Sequence, residues 1–159
     1  LSVYGENHSR VASVYNDIGE IYSVQGDDFK ALDYFKKSLK IVLSVYGENH
    51  SQVSSIYDHI GEIYFAQKDY SKALYYFEES LKIRLSLFGE NHPEVALSYY
   101  SIGSLYIIQG DKSKALNYYE KSLKIRLSVY GENHPLTKEI MDLINVANSK
   151  VLQSPETTK

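Results

Sequence analysis

The 159-residue chain has no cysteine, no tryptophan and only 3 prolines. Without cysteine there is no disulfide framework, no thiolate metal site and no thiol nucleophile. A reducing, cytosolic setting is compatible with that, and a cytoplasmic location is expected. So few prolines remove the commonest interruption of long helices. No apolar run is long enough to span a bilayer, and no segment reads as a signal peptide. Charge of one sign is lacking as well: 17 basic side chains stand against 20 acidic ones, a net charge of -3. That balance points to neither nucleic acid nor an anionic membrane as partner. What the chain holds in quantity is tyrosine, 16 in all, and a length suited to one domain with a sizeable core.

The organising feature is a repeat. The segment Leu1-Ser2-Val3-Tyr4-Gly5-Glu6-Asn7-His8 returns at Leu43, Leu85 and Leu127, a period of 42 residues. Within each period a first helix, A, carries Tyr15, Ile18, Gly19 and Tyr22, then Tyr57, Ile60, Gly61 and Tyr64, then Tyr99, Ile102, Gly103 and Tyr106. Spacings of three, one and three put these on one helical face. Turns follow at Gly26-Asp27, Lys68-Asp69 and Gly110-Asp111. A second helix, B, carries Ala31, Leu32, Phe35, Ser38 and Leu39, with copies at Ala73, Leu74, Phe77, Ser80, Leu81 and at Ala115, Leu116, Tyr119, Ser122, Leu123. A mid-helix glycine costs about 1 kcal/mol against alanine. Its recurrence at one phase implies a close approach of helix B, with Ala31, Ala73 and Ala115 the expected opposing surfaces.

An aromatic, an apolar residue, Gly and Tyr, followed by Ala, an aromatic and a small residue, resemble the tetratricopeptide repeat signature. The matching residues are Tyr15, Ile18, Gly19, Tyr22, Ala31, Phe35 and Ser38 and their copies. Tyr stands at the family's usual Trp position, and Leu43, Leu85 and Leu127 stand where the family usually has Pro. The missing proline accounts for the period: the common repeat has 34 residues, and here helix B can run on through Ile41-Val42-Leu43-Ser44-Val45-Tyr46 until Gly47 stops it. This long form, with Gly-Glu-Asn-His-Pro-Glu-Val-Ala at 89–96, looks like the kinesin-light-chain type. The resemblance implies an all-α, right-handed superhelical solenoid of helix-turn-helix repeats and a non-enzymatic protein-interaction role.

It also implies which residues meet a partner. In this family one stripe of helix A lines a concave groove. Here that stripe is Ser13, Asn16, Glu20 and Ser23; Ser55, Asp58, Glu62 and Phe65; Leu97, Tyr100, Ser104 and Ile107. Leu97, Tyr100 and Ile107 would form an exposed apolar cluster of the kind that marks interaction sites. Helix A contains Asp17, Glu20, Asp58, Glu62 and Glu94 but only Arg10 as a strong base. Lys36, Lys37, Lys40, Lys82, Arg84, Lys121, Lys124 and Arg126 gather on helix B. The expected groove is therefore acidic at its N-terminal end and apolar-aromatic towards its C-terminal end, fitting a peptide with basic and apolar residues. The lysine-asparagine-arginine clamp by which some tetratricopeptide domains grip a chaperone's acidic tail lacks its bases here. The groove's charge likewise disfavours the Trp-and-acid ligand of kinesin light chains.

His8, His50, His92 and His134 recur once per period, and His59 stands apart. A metal ladder is not expected, because stacked repeats hold such loops roughly 10 Å apart while zinc needs ligands at about 2 Å. Helix capping by Asn7 or His8 and their copies fits better, with Pro93 and Pro135 in the first turn. There is no Gly-x-Ser-x-Gly elbow, phosphate-binding glycine loop or His-Glu-x-x-His. Acidic and imidazole groups recur in near-copies, whereas catalysis needs one special constellation. No enzymatic activity, metal or cofactor is expected.

The expected organisation is the end of a truncated repeat at 1–8, repeats at 9–50, 51–92 and 93–134, a capping helix at 135–151 with Ile140, Met141 and Ile144 on one side, and a disordered tail at 152–159. Opening inside the pattern, the sequence reads as a fragment of a longer protein. Two other roles fit the same repeat: a structural spacer whose open N-terminal end associates with another copy, and a regulatory segment of a larger signalling enzyme.

Overall fold

A computed structural model describes the backbone of residues 3–149 and the side chains of residues 8–149. The expected tail, and the last two residues of the expected capping helix, lie outside them. The described residues form seven helices and no strand. Two compact units divide the chain, Leu1–Leu87 and Phe88–Lys159. The first is built from α1 (Val3–Val24), α2 (Asp28–Tyr46), α3 (Ser51–Ala66) and α4 (Tyr70–Phe88). The second is built from α5 (Pro93–Ile108), α6 (Lys112–Tyr130) and α7 (Pro135–Ser149).

Each hairpin turn uses the same chemistry. A residue at positive φ breaks the first helix, and an aspartate starts the second. Asp27, Asp69 and Asp111 accept the backbone N–H three residues on, at 3.2, 3.2 and 3.1 Å. The same carboxylates hold Lys30, Lys72 and Lys114 at 2.8, 2.7 and 3.2 Å. Gly26 and Gly110 take the positive φ without strain, whereas the middle turn puts Lys68 there at φ 62°.

The second helices run for 19 residues each, and Gly47, Gly89 and Gly131 stop them at φ 80°, 76° and 80°. The next helix is capped by histidine. Nδ1 of His50, His92 and His134 accepts the N–H of Gln52, Glu94 and Leu136, each at 3.2 Å. Every one of these rings also stacks on the last aromatic of the preceding helix: Tyr46 at 4.2 Å, Phe88 at 4.4 Å and Tyr130 at 4.5 Å. The first copy differs from expectation. Residues 3–8 continue α1 without a break, so neither Asn7 nor His8 caps it. The stop elsewhere depends on a glycine leaving helical φ, and Gly5 stays helical.

The close approach inside each hairpin is made by a ring. A Cβ on Gly19, Gly61 or Gly103 would sit 2.8, 2.7 and 2.7 Å from the ring atoms of Phe35, Phe77 and Tyr119. Alanine, the expected opposing surface, comes nearest only in the third hairpin, where the Ala115 carbonyl oxygen would lie 3.3 Å from a Cβ on Gly103. Ala31, Ala73 and Ala115 are fully buried, yet an aromatic ring one turn further along α2, α4 and α6 fills the notch. The small residue of the next turn has its own reason: Ser38 and Ser122 donate to the carbonyls of Ala12 and Ala96, both at 2.8 Å. The tyrosines form repeated triplets. Tyr34 lies 5.8 and 5.6 Å from Tyr15 and Tyr22, Tyr76 lies 5.7 Å from both Tyr57 and Tyr64, and Tyr118 lies 6.0 and 5.7 Å from Tyr99 and Tyr106.

Phe35 and Val42 of α2 pack with Val53, Ile56, Ile60 and Ile63 of α3 to form the core of the first unit. In the second unit α7 packs on α6. There Thr137, Ile140 and Ala147 are buried, with Met141 and Ile144 half-buried beside them.

Replacing Gly61 by alanine gains about 1 kcal/mol of helix propensity but drives a methyl into the Phe77 ring, and overpacking of that kind costs about 1–3 kcal/mol. Net destabilisation is expected in urea melts. A stabilised Gly61→Ala would show that the ring yields freely.

Candidate partner-binding faces

In the first unit the expected stripe spans α1 and α3. Ser13, Glu20, Ser55 and Glu62 are exposed, while Asn16, Ser23, Asp58 and Phe65 are half-buried. Glu20 ties the two helices together: Asn16 Nδ2 donates to it at 2.6 Å, and His59 Nε2 lies 3.7 Å from it. His59 in turn rests against Phe35, ring centroids 5.0 Å apart. Burial pushes the Glu62 carboxyl above its ordinary value, and Asp58 and Glu20 add to the rise while His59 opposes it.

Asp58 is the member the sequence misjudged. Its carboxylate pairs with Arg84 Nη1 at 2.6 Å, and Arg84 is only 3% exposed. Burial raises the Asp58 carboxyl, and Arg84 and Ser80 pull it back. Arg84, one of the bases gathered on helix B, thus places its charge against a helix-A carboxylate. Arginine's long stem lets a residue rooted on α4 deliver its charge to α3 through the interior.

The second unit shows the same departure. Leu97 and Ile107 of the α5 stripe are 45% and 37% exposed, and Ile108 beside them is 51% exposed. Tyr100 and Ser104 are half-buried and engaged. The Tyr100 hydroxyl donates to Glu139 at 3.2 Å, and Ser104 Oγ is 3.2 Å from the Tyr119 hydroxyl. Buried Arg126 lies 5.1 Å from the Tyr100 ring centroid and donates from Nη1 to the Leu136 carbonyl and to Glu139, the latter at 3.4 Å. Burial first, and Glu139 second, push the Tyr100 hydroxyl up. Arg84 and Arg126 were legible only as bases on helix B. The available signal was their phase, since they stand one and two periods after a buried Val42.

Residues 10–86 and 52–128 each match the family model of the tetratricopeptide repeat. The chain belongs to the tetratricopeptide repeat family. Among solved structures this tetratricopeptide chain is similar to BtubC (BKLC) of P. vanneervenii, at 20% identity and a TM-score of 0.73 over 93% of this chain and 67% of that one. It is similar to a kinesin-light-chain-type chain of nearly identical TPR-like repeats from Podosopora anserina, at 17% identity and a TM-score of 0.76 over 92% and 70%. It is also similar to the first TPR of Spaghetti (RPAP3) bound to the HSP90 peptide SRMEEVD, at 16% identity and a TM-score of 0.65 over 91% and 98%. At these identities the likeness establishes the fold, an all-α repeat array of the kinesin-light-chain-like kind. No curated protein matches the sequence. Among the described residues no helix is long and apolar enough to cross a membrane, and no three His, Cys, Asp or Glu are grouped to hold a metal ion.

Truncating Arg84 to alanine leaves the Asp58 carboxylate buried without its ion-pair partner, at a cost of about 3–5 kcal/mol. The pair Arg84→Val with Asp58→Asn reproduces the Val42 and Asn16 of the first repeat. It is expected to recover stability to within about 1 kcal/mol of the parent. Equal losses for the single and double variants in thermal melts would refute the pairing.

Proposed function

We propose that this tetratricopeptide array is a protein-interaction scaffold: the α1–α3 face binds a partner segment through that segment's basic residues, and the α5 face separately takes an apolar side chain. One observation carries the reading. Arg84 is committed to Asp58 at 2.6 Å, so Glu20 and Glu62, both exposed, leave the α1–α3 face negative. On α5, Leu97 and Ile107 offer apolar surface that no repeat-core contact explains. A face of this charge draws in cationic segments and repels anionic ones. The RPAP3 neighbour binds SRMEEVD, a peptide with three acidic side chains. Such a tail would meet Glu20 and Glu62 here, so acidic tails are excluded from this reading.

The test is a labelled peptide bearing two arginines and a leucine, titrated at fixed ionic strength. Glu20→Lys with Glu62→Lys should weaken binding at least about tenfold and reverse its salt dependence, with the helical circular dichroism unchanged. Unaltered affinity would count against the proposal.

A second reading, self-association, rests on α1. Val11, Val14 and Ile21 are 43%, 53% and 55% exposed, yet their copies one period on, Val53, Ile56 and Ile63, are buried at 0%, 2% and 2% by the α2–α3 packing. The α1 face thus has the chemistry of a repeat interface, and the occupant proposed for it is α1 of a second copy. Sedimentation should show a concentration-dependent dimer that Val14→Glu abolishes. A monomer at every accessible concentration would remove this reading.

A further inference from the structure

The first unit contains a cavity of about 150 Å³ on the α1–α3 face, walled by Val42 and Ser38 of α2, Asn16 of α1 and Gln52 and Ser55 of α3, with Asp17 alongside. These residues are not an arbitrary set. In the second unit the Arg126 guanidinium is enclosed by Tyr100, the Leu136 carbonyl and Glu139, with Ser122 one turn back on α6. Moved back two periods, Arg126, Tyr100, Leu136, Glu139 and Ser122 become Val42, Asn16, Gln52, Ser55 and Ser38. The cavity therefore stands where the fold elsewhere buries an arginine head. One period on, the same place is filled by Arg84 paired with Asp58. Valine is too short to fill it.

The walls keep the polarity of an arginine site. Asn16 Oδ1 and Gln52 Oε1 are both buried and have no hydrogen-bond partner. The Asn16 assignment is fixed by its other end, since Nδ2 donates to Glu20 at 2.6 Å and an oxygen there would face a carboxylate. Asp17, Ser13 and Ser55 are exposed at the mouth, so the site is reachable from solvent, and Asp17 and the Glu20 bound to Asn16 make its surroundings negative. A planar fork of N–H donors with a positive charge matches two stranded carbonyl oxygens and a carboxylate better than an ammonium point charge does.

We infer that this cavity is a binding site for a guanidinium group, filled by an arginine side chain of the partner. The inference deepens, and rests on, the reading of the α1–α3 face as a site for basic segments. It makes the first repeat the one in which the arginine is supplied from outside the chain.

The test uses the whole chain and N-acetyl-arginine amide, with the citrulline amide as neutral isostere and the lysine amide as ammonium control. Chemical shifts of the Asn16 and Gln52 side-chain amides should move saturably with the arginine compound alone. Asn16→Asp, which supplies the Asp58 equivalent, should tighten the complex about tenfold, as charge-assisted hydrogen bonds are the strong ones. Val42→Arg should fill the cavity from within and abolish the shifts. If that variant proves unstable, Asn16→Asp with Val42→Arg rebuilds the Asp58–Arg84 pair and should abolish them in a folded chain. Absence of saturation, equal response to citrulline, or an unaffected Val42→Arg would overturn the assignment. The two proposals fail separately. A peptide that Val42→Arg still binds, but that the Glu20→Lys, Glu62→Lys variant does not, leaves the face and removes the cavity. An arginine amide that still saturates when those two lysines leave peptide affinity unchanged does the reverse.

Discussion

Everything in each hairpin depends on a ring seated where a side chain is missing. Phe35, Phe77 and Tyr119 lie against Gly19, Gly61 and Gly103 at distances that leave no room for a methyl group. That contact sets how near the second helix lies to the first. The spacing then decides the rest: Ser38 and Ser122 can reach a carbonyl of the opposite helix, and the tyrosine triplets can close around Tyr34, Tyr76 and Tyr118. A glycine in mid-helix is locally unfavourable by about 1 kcal/mol. The array accepts that three times because the aromatic burial it permits is worth more.

The period made most of the fold legible. A feature repeated at one phase is averaged over three copies, so accidents drop out and the packed positions remain. The glycines, the hairpin turns and the long second helices were readable for this reason. The partner of each glycine was not. Ala31 and Phe35 are one turn apart on the same face, and sequence phase does not say which of two neighbours on a face fills a notch. The cap expected at Asn7 or His8 failed for a related reason. A glycine ends a helix only when its backbone leaves helical φ, as at Gly47, Gly89 and Gly131, and the letter is the same where it does not.

Exposure along the helix-A stripes was legible in part; the charge of the surface was not. Ser13, Glu20, Leu97 and Ile107 sit exposed on the expected stripes. The error was to assign a charge to the helix that carries the Cα. Arg84 and Arg126 are rooted on second helices, yet their guanidinium groups serve Asp58 of α3 and Tyr100 of α5. A side chain with four methylene-length steps before its charge can cross a helix pair. The sign of a surface in a helical array therefore has to be counted at the heads.

Position 42 and its copies show where individuality enters a periodic protein. Everything that must stack is held nearly constant, since a change there would be felt by the next repeat. The place occupied by Val42, Arg84 and Arg126 lies at the inner end of the helix-A stripe, where it touches both the packed interior and the exposed face. Its partner changes in step: Asn16 opposite valine, Asp58 opposite an arginine, Tyr100 opposite another. A carboxylate facing valine would be buried unpaired, and a valine facing Glu139 would leave that acid and Tyr100 without their cation. The three pairings are three ways of satisfying one site. Two of them balance an arginine's charge inside the chain, and the first leaves two carbonyl oxygens open. In an array whose copies are otherwise so alike, an unmet polar demand at a solvent-reachable place is the kind of difference a partner can recognise.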